Sequence, residues 1–534
     1  MQGLITVDWV VIGCYFLLVF GIAIYAGFRR TSQESSDYFL AGRNTGWFII
    51  GASLFASNIG SEHLVGLAGT GAASGVAVAQ FEILAGFMLL LLGWVFVPFY
   101  LRSGVFTMPE FLERRYSSGP RLYLAVISIA GYVLTKISVT IAAGGIVFTA
   151  LMGIDFWTGA IVVVVATGIY TIWGGLRAVL YTDMVQMFVL LAGAVTVTVI
   201  GLHEIGGWNE LRSSAGSDYF NLWKPMSHPD FPWTGIIFGA PILGVWYWCT
   251  DQFIVQRVLA ARDLTQARRG TIFAAALKQL PLFLFVLPGV VAYVMASSGT
   301  LQLDEPDQAL PALVNALLPA GLRGLVAAAL LAALMSSLSS VFNSCSTLFT
   351  MDIYKRFHQS ASERTLVAVG RFATLLLVGL GLLWIPFMEL ISGQLFTYLQ
   401  SVQAYISPPI AAVFLFGILW KRASAQGAIA ALSVGFVLGI GRLVLELNKS
   451  ALDGVLLVVA NINFLHFALV LFAASVVTLV VVSLLGPAPP PGKTDWMAAA
   501  DAAIPGDRGL RRSDMVYSSA VLLTIGAVWL WFTG

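Results

Sequence analysis

Apolar runs separated by short polar gaps fill almost the whole chain. A helix needs roughly 20 mostly apolar residues to cross a bilayer. By that measure the pattern predicts fourteen spans, at about 7–28, 47–75, 78–101, 122–152, 156–174, 178–202, 233–256, 271–297, 310–352, 365–388, 394–419, 425–446, 461–486 and 514–532. The stretches 47–75 and 310–352 are too long for one simple crossing, so each is expected to contain a break, a tilt or a turn outside the membrane. The gaps between runs are too short to hold soluble domains. The chain therefore reads as a single all-α membrane domain over 1–534.

Charge tests this count, because cytoplasmic loops carry an excess of Lys and Arg. With the N-terminus outside, alternate gaps place most of the basic residues inside, among them Arg114, Arg115 and Arg121 in one gap and Arg257, Arg262, Arg268 and Arg269 in another. The outside gaps hold only Arg212, Lys224, Arg323, Arg442 and Lys449. That alternation predicts both termini outside. Composition agrees: 58% of residues are hydrophobic and 10% charged, against about 25% charged in soluble domains. The net charge of +2 says nothing about nucleic acid, but no basic run of the kind a nucleic-acid partner needs appears. Cys14, Cys249 and Cys345 all lie in apolar segments and read as small buried hydrophobes. The opening MQGLITVDW has no basic residue, and the apolar stretch after it is too long for a cleavable signal.

Two spans are interrupted. The second reads GASLFASNIGSEHLVGLAGTGAASG over 51–75, with Asn58, Ser61, Glu62 and His63 at membrane depth. The seventh, FGAPILGVWYWCTDQFIVQR over 238–257, has Gly239, Pro241 and Gly244 in its apolar part. Unwound backbone inside a membrane is tolerated only where it lines a cavity or coordinates something. The two segments lie five apart in span order. Interruptions at corresponding places in two halves point to an inverted-repeat transporter with a site at the membrane midplane; Gly-rich helix packing is the alternative.

Ionisable groups at bilayer depth are costly and usually functional. Glu82, Asp183 and Lys278 fall inside or at the edge of spans, as does the polar Gln400. For Lys278 the competing account is a snorkelling side chain, for Glu82 and Asp183 an interfacial position; Lys136 reads as structural. In LMSSLSSVFNSCSTLFTMD (334–352), Ser336, Ser339 and Ser340 share a helix face, with Ser337 beside them. Hydroxyls with freed carbonyls suit a small monovalent cation. Asn58, His63, Glu82, Lys278 and Gln400 offer donors and acceptors, and Tyr247, Trp248 and Phe396 offer ring faces. That set suits a sugar better than a hydrophobic amine or an inorganic anion. No HExxH or GxSxG motif supports an intramembrane enzyme.

SNIGSEHLVGLAGTGAASG (57–75), VWYWCTDQFIVQR (245–257), LMSSLSSVFNSCSTLFTMDIY (334–354) and SGQLFTYLQ (392–400) closely resemble the sodium/glucose cotransporters of the solute:sodium symporter family, and the resemblance extends over about 8–490. It implies a LeuT-like 5+5 inverted-repeat core: an extra helix at 7–28, repeats at 47–202 and 233–419, and C-terminal helices over 425–534. It implies a sugar site of Asn58, His63, Glu82, Tyr247, Trp248, Lys278 and Gln400, with Tyr247 as inner gate and Phe396 in the outer gate. A sodium site would use the carbonyls of Ala56, Ile59 and Ala333 with the hydroxyls of Ser336 and Ser337. A second would use Asp183, Ser336, Ser339 and Ser340, giving two co-transported sodium ions per sugar. Glu62, His63, Gly244, Thr397 and Gln403 each depart from one or another member, which leaves the choice among glucose, galactose and inositol open. The short outer loops favour a bacterial plasma membrane. No obligate protein partner is implied beyond the lipid bilayer. Symport of another small polar solute and a non-transporting sugar sensor are the alternative functions.

Overall fold

The computed structural model describes residues 4–28, 34–388, 395–494 and 508–534, and apart from isolated bridges these form helices and their connections. Among the described residues, eleven helices are long and apolar enough to cross a membrane, and Trp47–Asn58 and Gly235–Thr250 are shorter apolar helices. Eleven differs from the fourteen expected mainly because neighbouring spans run on without a loop. The 50-residue helix Phe156–Ile205 contains both 156–174 and 178–202. Its direction changes at Gly175, where φ is +59° and an added Cβ would lie 2.6 Å from the Tyr38 carbonyl oxygen. Only glycine meets both conditions without strain. Ser61–Ser103 likewise passes through Gly75, at φ +76°, where a Cβ would come within 2.3 Å of the Tyr219 carbonyl oxygen.

The expected run 310–352 separates into Ala309–Leu317 and the helix Leu322–Leu348, buried along nearly its whole length. This second piece, the serine helix, packs along Phe156–Ile205 and against Thr6–Phe28. Asp8 of Thr6–Phe28 is fully buried and holds the start of the serine helix: its Oδ1 accepts from the amides of Gly321 at 2.7 Å and Gly324 at 2.8 Å. A carboxylate there satisfies amides that have no partner within the helix. The periphery is apolar, with Leu17, Val199, Val437, Leu485 and Leu523 all exposed. Such a rim needs a lipid solvent. Cys14 is also exposed on the first helix, whereas Cys249 and Cys345 are buried as expected.

Both interrupted spans are broken, but the second breaks elsewhere than predicted. The first consists of Trp47–Asn58 and Ser61–Ser74, parted at Ile59 and Gly60. The second stays helical through Gly239, Pro241 and Gly244. Wide turns at Gly235–Gly239 and Val245–Thr250 flank Ala240–Gly244. A wide turn takes up the missing N–H of a proline that would otherwise break the ladder. The chain unwinds instead at Asp251, φ −77° and ψ 129°, before Gln252–Leu259. That continuation carries Arg257 into the core at 1% exposure, and Arg268 is 4% exposed; neither is the loop residue expected from the charge pattern.

Candidate functional site

The break in the first span changes where its backbone hydrogen bonds go. The Gly60 amide donates to the Asn58 carbonyl at 3.1 Å, so the Ala56 carbonyl loses the donor that a continuous helix would supply. The Ser57 carbonyl accepts from Ser337 Oγ of the serine helix at 3.0 Å. The break also puts Asn58 and His63 on opposite sides of an unwound pair of residues, both facing the same space.

That space is a cavity with polar and aromatic side chains in its wall. Six of the seven residues predicted to hold a solute line it: Asn58, His63, Glu82, Tyr247, Trp248 and Gln400. The seventh, Lys278, lies immediately behind. Its ammonium donates to Asn58 Oδ1 and to Glu82 Oε2, and sits 5.2 Å from the centre of the Trp248 ring. Asn58 Nδ2 in turn donates to the Tyr247 hydroxyl at 2.9 Å. The chain of contacts is buried, and each charge in it has an opposite charge beside it. Lys278 and Glu82 are both buried inside the protein. Phe396, expected in the outer gate, lies outside the residues whose side chains are described.

Lys136, read from sequence as structural, also lines the cavity. It pairs with Glu62 at 2.7 Å, and Thr140 Oγ1 donates to the second carboxylate oxygen of Glu62 at 3.0 Å. His63 lies between the two acids, 3.6 Å from Glu62 and 3.8 Å from Glu82. A second, small cavity opens beyond Tyr247, Lys136 and Gln403, which line both spaces, and reaches Asp251 at the second break. The three side chains form the partition between the two chambers. Sequence reasoning had the polar residues but not the Glu62–Lys136 pair, because a charge partner 74 positions away leaves no periodic signal.

Of the residues predicted to hold cations, Asp183 and Ser336 are in direct contact. Ser336 Oγ donates to Asp183 Oδ1 at 2.6 Å, and Ser339 Oγ donates to the Ser336 carbonyl at 3.0 Å. Two unpredicted residues join them. Ser53 Oγ donates to Asp183 Oδ2 at 2.6 Å and accepts from Arg257 Nε at 2.9 Å. Arg257 Nη2 donates to Ser340 Oγ and lies 3.7 Å from Asp183 Oδ2. The signal for Ser53 was present: it stands one helical turn before Ser57, on the face that leads to Asn58.

A family model described as the sodium:solute symporter family matches residues 38–435. The chain belongs to the sodium:solute symporter family. It is 42% identical to sodium/glucose cotransporter 1 of Oryctolagus cuniculus over 521 residues, covering 89% of this chain and 78% of that one. It is also 42% identical to sodium/myo-inositol cotransporter 2 of the same species over 523 residues, covering 91% and 77%. The fold is similar to that of a Na+-coupled sialic acid symporter solved in a substrate-bound outward-open state, with a TM-score of 0.79 at 23% identity, over 90% of this chain and 98% of that one. The protein is thus a multi-pass, sodium-coupled solute symporter with a LeuT-like inverted-repeat fold, a transporter and not an enzyme. Sodium is its co-transported ion.

Proposed function

We propose that this symporter imports a monosaccharide of the glucose or galactose type by alternating access, driven by two sodium ions per sugar. The observation that carries the sugar reading is the cavity at the first helix break. Asn58, His63, Glu82 and Gln400 present donors and acceptors around it, Trp248 and Tyr247 present ring faces, and Lys278 neutralises Glu82 from behind. A hydroxyl-rich solute meets each of these groups, and an analogue lacking a hydroxyl leaves a buried partner unpaired.

In this reading Tyr247 is the inner gate, an assignment supported by its position between the two chambers; Phe396 belongs to the outer gate. The first sodium site consists of the Ala56, Ile59 and Ala333 carbonyls with the Ser336 and Ser337 hydroxyls. It is supported by the carbonyl freed at the break and by the approach of Ser337 to that break. The second consists of Asp183, Ser336, Ser339 and Ser340. The repeats are 47–202 and 233–419. The protein sits in a plasma membrane, of bacterial type, with both termini outside. Sodium bound at the break favours the outward-open state only by its differential affinity for the two states. Each sodium charge crossing adds about 2.3 kcal/mol per 100 mV of membrane potential.

A second reading, myo-inositol as the solute, has support from equal identity to a myo-inositol cotransporter. The deciding experiment is sodium-driven uptake of labelled D-glucose into proteoliposomes, with galactose, myo-inositol and sialic acid as competitors. Uptake inhibited best by galactose or unlabelled glucose supports the sugar reading; strongest competition by myo-inositol transfers the assignment to that cyclitol. Absence of sodium-driven D-glucose uptake sinks the glucose or galactose reading. A charge-to-sugar ratio of one, measured from reversal potentials, rules out the second ion.

A further inference from the structure

Arg257 is the one residue of the second broken span whose charged group reaches the proposed second cation site among the described residues. Its guanidinium is 1% exposed and Asp183 is fully buried. Four elements converge on it: Ser53 from the first broken span, Asp183 from Phe156–Ile205, Ser340 from the serine helix, and its own helix, Gln252–Leu259. The Asp183 carboxylate and the Ser340 hydroxyl, two of the groups assigned above to sodium, are the groups that Arg257 contacts. Nη1 donates to the Phe253 carbonyl one turn earlier, and the guanidinium carbon lies 5.2 Å from the Phe253 ring centre, so the side chain is folded back along its own helix to reach this place.

We propose that Arg257 is a tethered competitor of sodium at the Asp183 site. This rests on the two-ion reading above and deepens it. The arginine supplies the positive charge that a buried carboxylate requires when no ion is bound. A guanidinium donates through N–H groups and a sodium ion accepts lone pairs, yet both demand the same oxygens, and two positive charges repel in so small a space. Sodium arriving beside Asp183 and Ser340 therefore displaces Arg257. Arg257 lies in the helix that follows the break at Asp251, so its release removes polar ties of that helix to the first broken span and to the serine helix, while Gln256 Nε2 still donates to Thr347 Oγ1 at 2.8 Å. Ion occupancy is thereby coupled to the relative position of the two broken spans. Arg257 acts as a positioning residue in this scheme and touches no solute.

The test is equilibrium binding of ²²Na⁺ to the full-length protein in nanodiscs, with melting temperature recorded for each variant. Arg257→Gln removes the competitor, and its sodium half-saturation is expected to fall about tenfold. Ser53→Ala removes a hydrogen bond from Arg257 and one from Asp183 without deleting a proposed sodium ligand; its half-saturation is expected to fall in the same direction by a smaller factor. Arg257→Lys keeps the charge and is expected to stay within about twofold of the parent. Asp183→Asn is expected to remove the sodium component that the other variants tighten. Unchanged or weaker sodium binding in a well-folded Arg257→Gln overturns the proposal. Should that variant fail to fold, Ser53→Ala decides alone: a lower half-saturation upholds competition, and an equal or higher one overturns it. These outcomes are separate from the choice of solute, since a protein that fails to take up sugar still reports on sodium and Arg257 in this assay.

Discussion

Lys278–Glu82 and Arg257–Asp183 are both buried ion pairs between helices at the broken spans, but they differ in what adjoins them. Glu82 lines a cavity that also touches Asn58, His63 and Gln400. Asp183 is held by two serine hydroxyls and an arginine, with each carboxylate oxygen already accepting a hydrogen bond. Taking charges out of water costs several kcal/mol per ion, and opposite charges offset that cost only with good geometry. Beside an opening, such a pair keeps its hydrogen-bonding capacity for an incoming polar solute. In a closed cluster the pair makes its own counter-charge, and anything entering must replace a member of it. The same chemistry thus gives a binding surface in one place and a displaceable internal cation in the other.

The largest effect that would break this contrast is expected at the closed cluster. In sodium-free buffer, Arg257→Gln leaves the Asp183 carboxylate without its cation, a loss of about 3–5 kcal/mol. Added sodium should restore much of that stability, by about 2.7 kcal/mol at a hundred times its dissociation constant. Thermal unfolding across a sodium series checks this; a sodium-independent loss would mean that the cluster is merely structural. At the open cluster Lys278→Met is expected to cost less stability, about 1–3 kcal/mol for a buried partner left unsatisfied, because water from the cavity reaches Glu82. Solute uptake should nevertheless be lost. Equal destabilisation of the two variants in sodium-free buffer would erase the distinction between the sites.

The contrast also explains what could be read in the sequence. Apolar runs of membrane length do not depend on tertiary partners, so the spans were legible, including the serine helix with its hydroxyls. The break at Ile59–Gly60 was legible because Asn58, Glu62 and His63 have no place in a regular lipid-facing helix. The second break was misplaced because Pro241 is absorbed by wide turns, whereas Asp251 looks in sequence like the start of a loop. Arg257 was misread for the same reason: a charge just beyond an apolar run resembles a loop residue until a partner 74 positions back along the chain, Asp183, is brought against it. The site residues were recoverable by residue type and resemblance, but their pairing was not, since pairs such as Glu62–Lys136 are set by packing between distant helices.

A smaller effect sharpens the comparison through the serine helix, which contributes to the cation cluster but does not line the solute cavity among the described residues. Asp8→Ala removes the carboxylate that holds the Gly321 and Gly324 amides, at a cost of about 0.5–2 kcal/mol. Sodium half-saturation should rise while solute affinity measured at saturating sodium changes little. Equal shifts in both would show that the serine helix positions the cavity as well.

The smallest expected effect sets the baseline for the rest. Arg114 pairs with Glu110 at 2.9 Å, one turn apart on the same helix, and its side chain is 46% exposed. Water and salt screen such a pair, and exposed pairs contribute about 0.2–1 kcal/mol. Arg114→Ala should therefore shift the melting temperature only slightly, leave sodium half-saturation and uptake at parent values, and lose even its small stability effect at high salt. The ion pair at Asp183 should keep its effect at that same ionic strength, because low-dielectric surroundings exclude the screening ions. A salt titration of melting temperature for Arg114→Ala and Arg257→Gln, with choline as the cation so that sodium occupancy does not enter, separates exposed pairing from buried pairing directly. Parallel loss of both effects with salt would mean that solvent reaches Asp183, and the closed half of the comparison would fall.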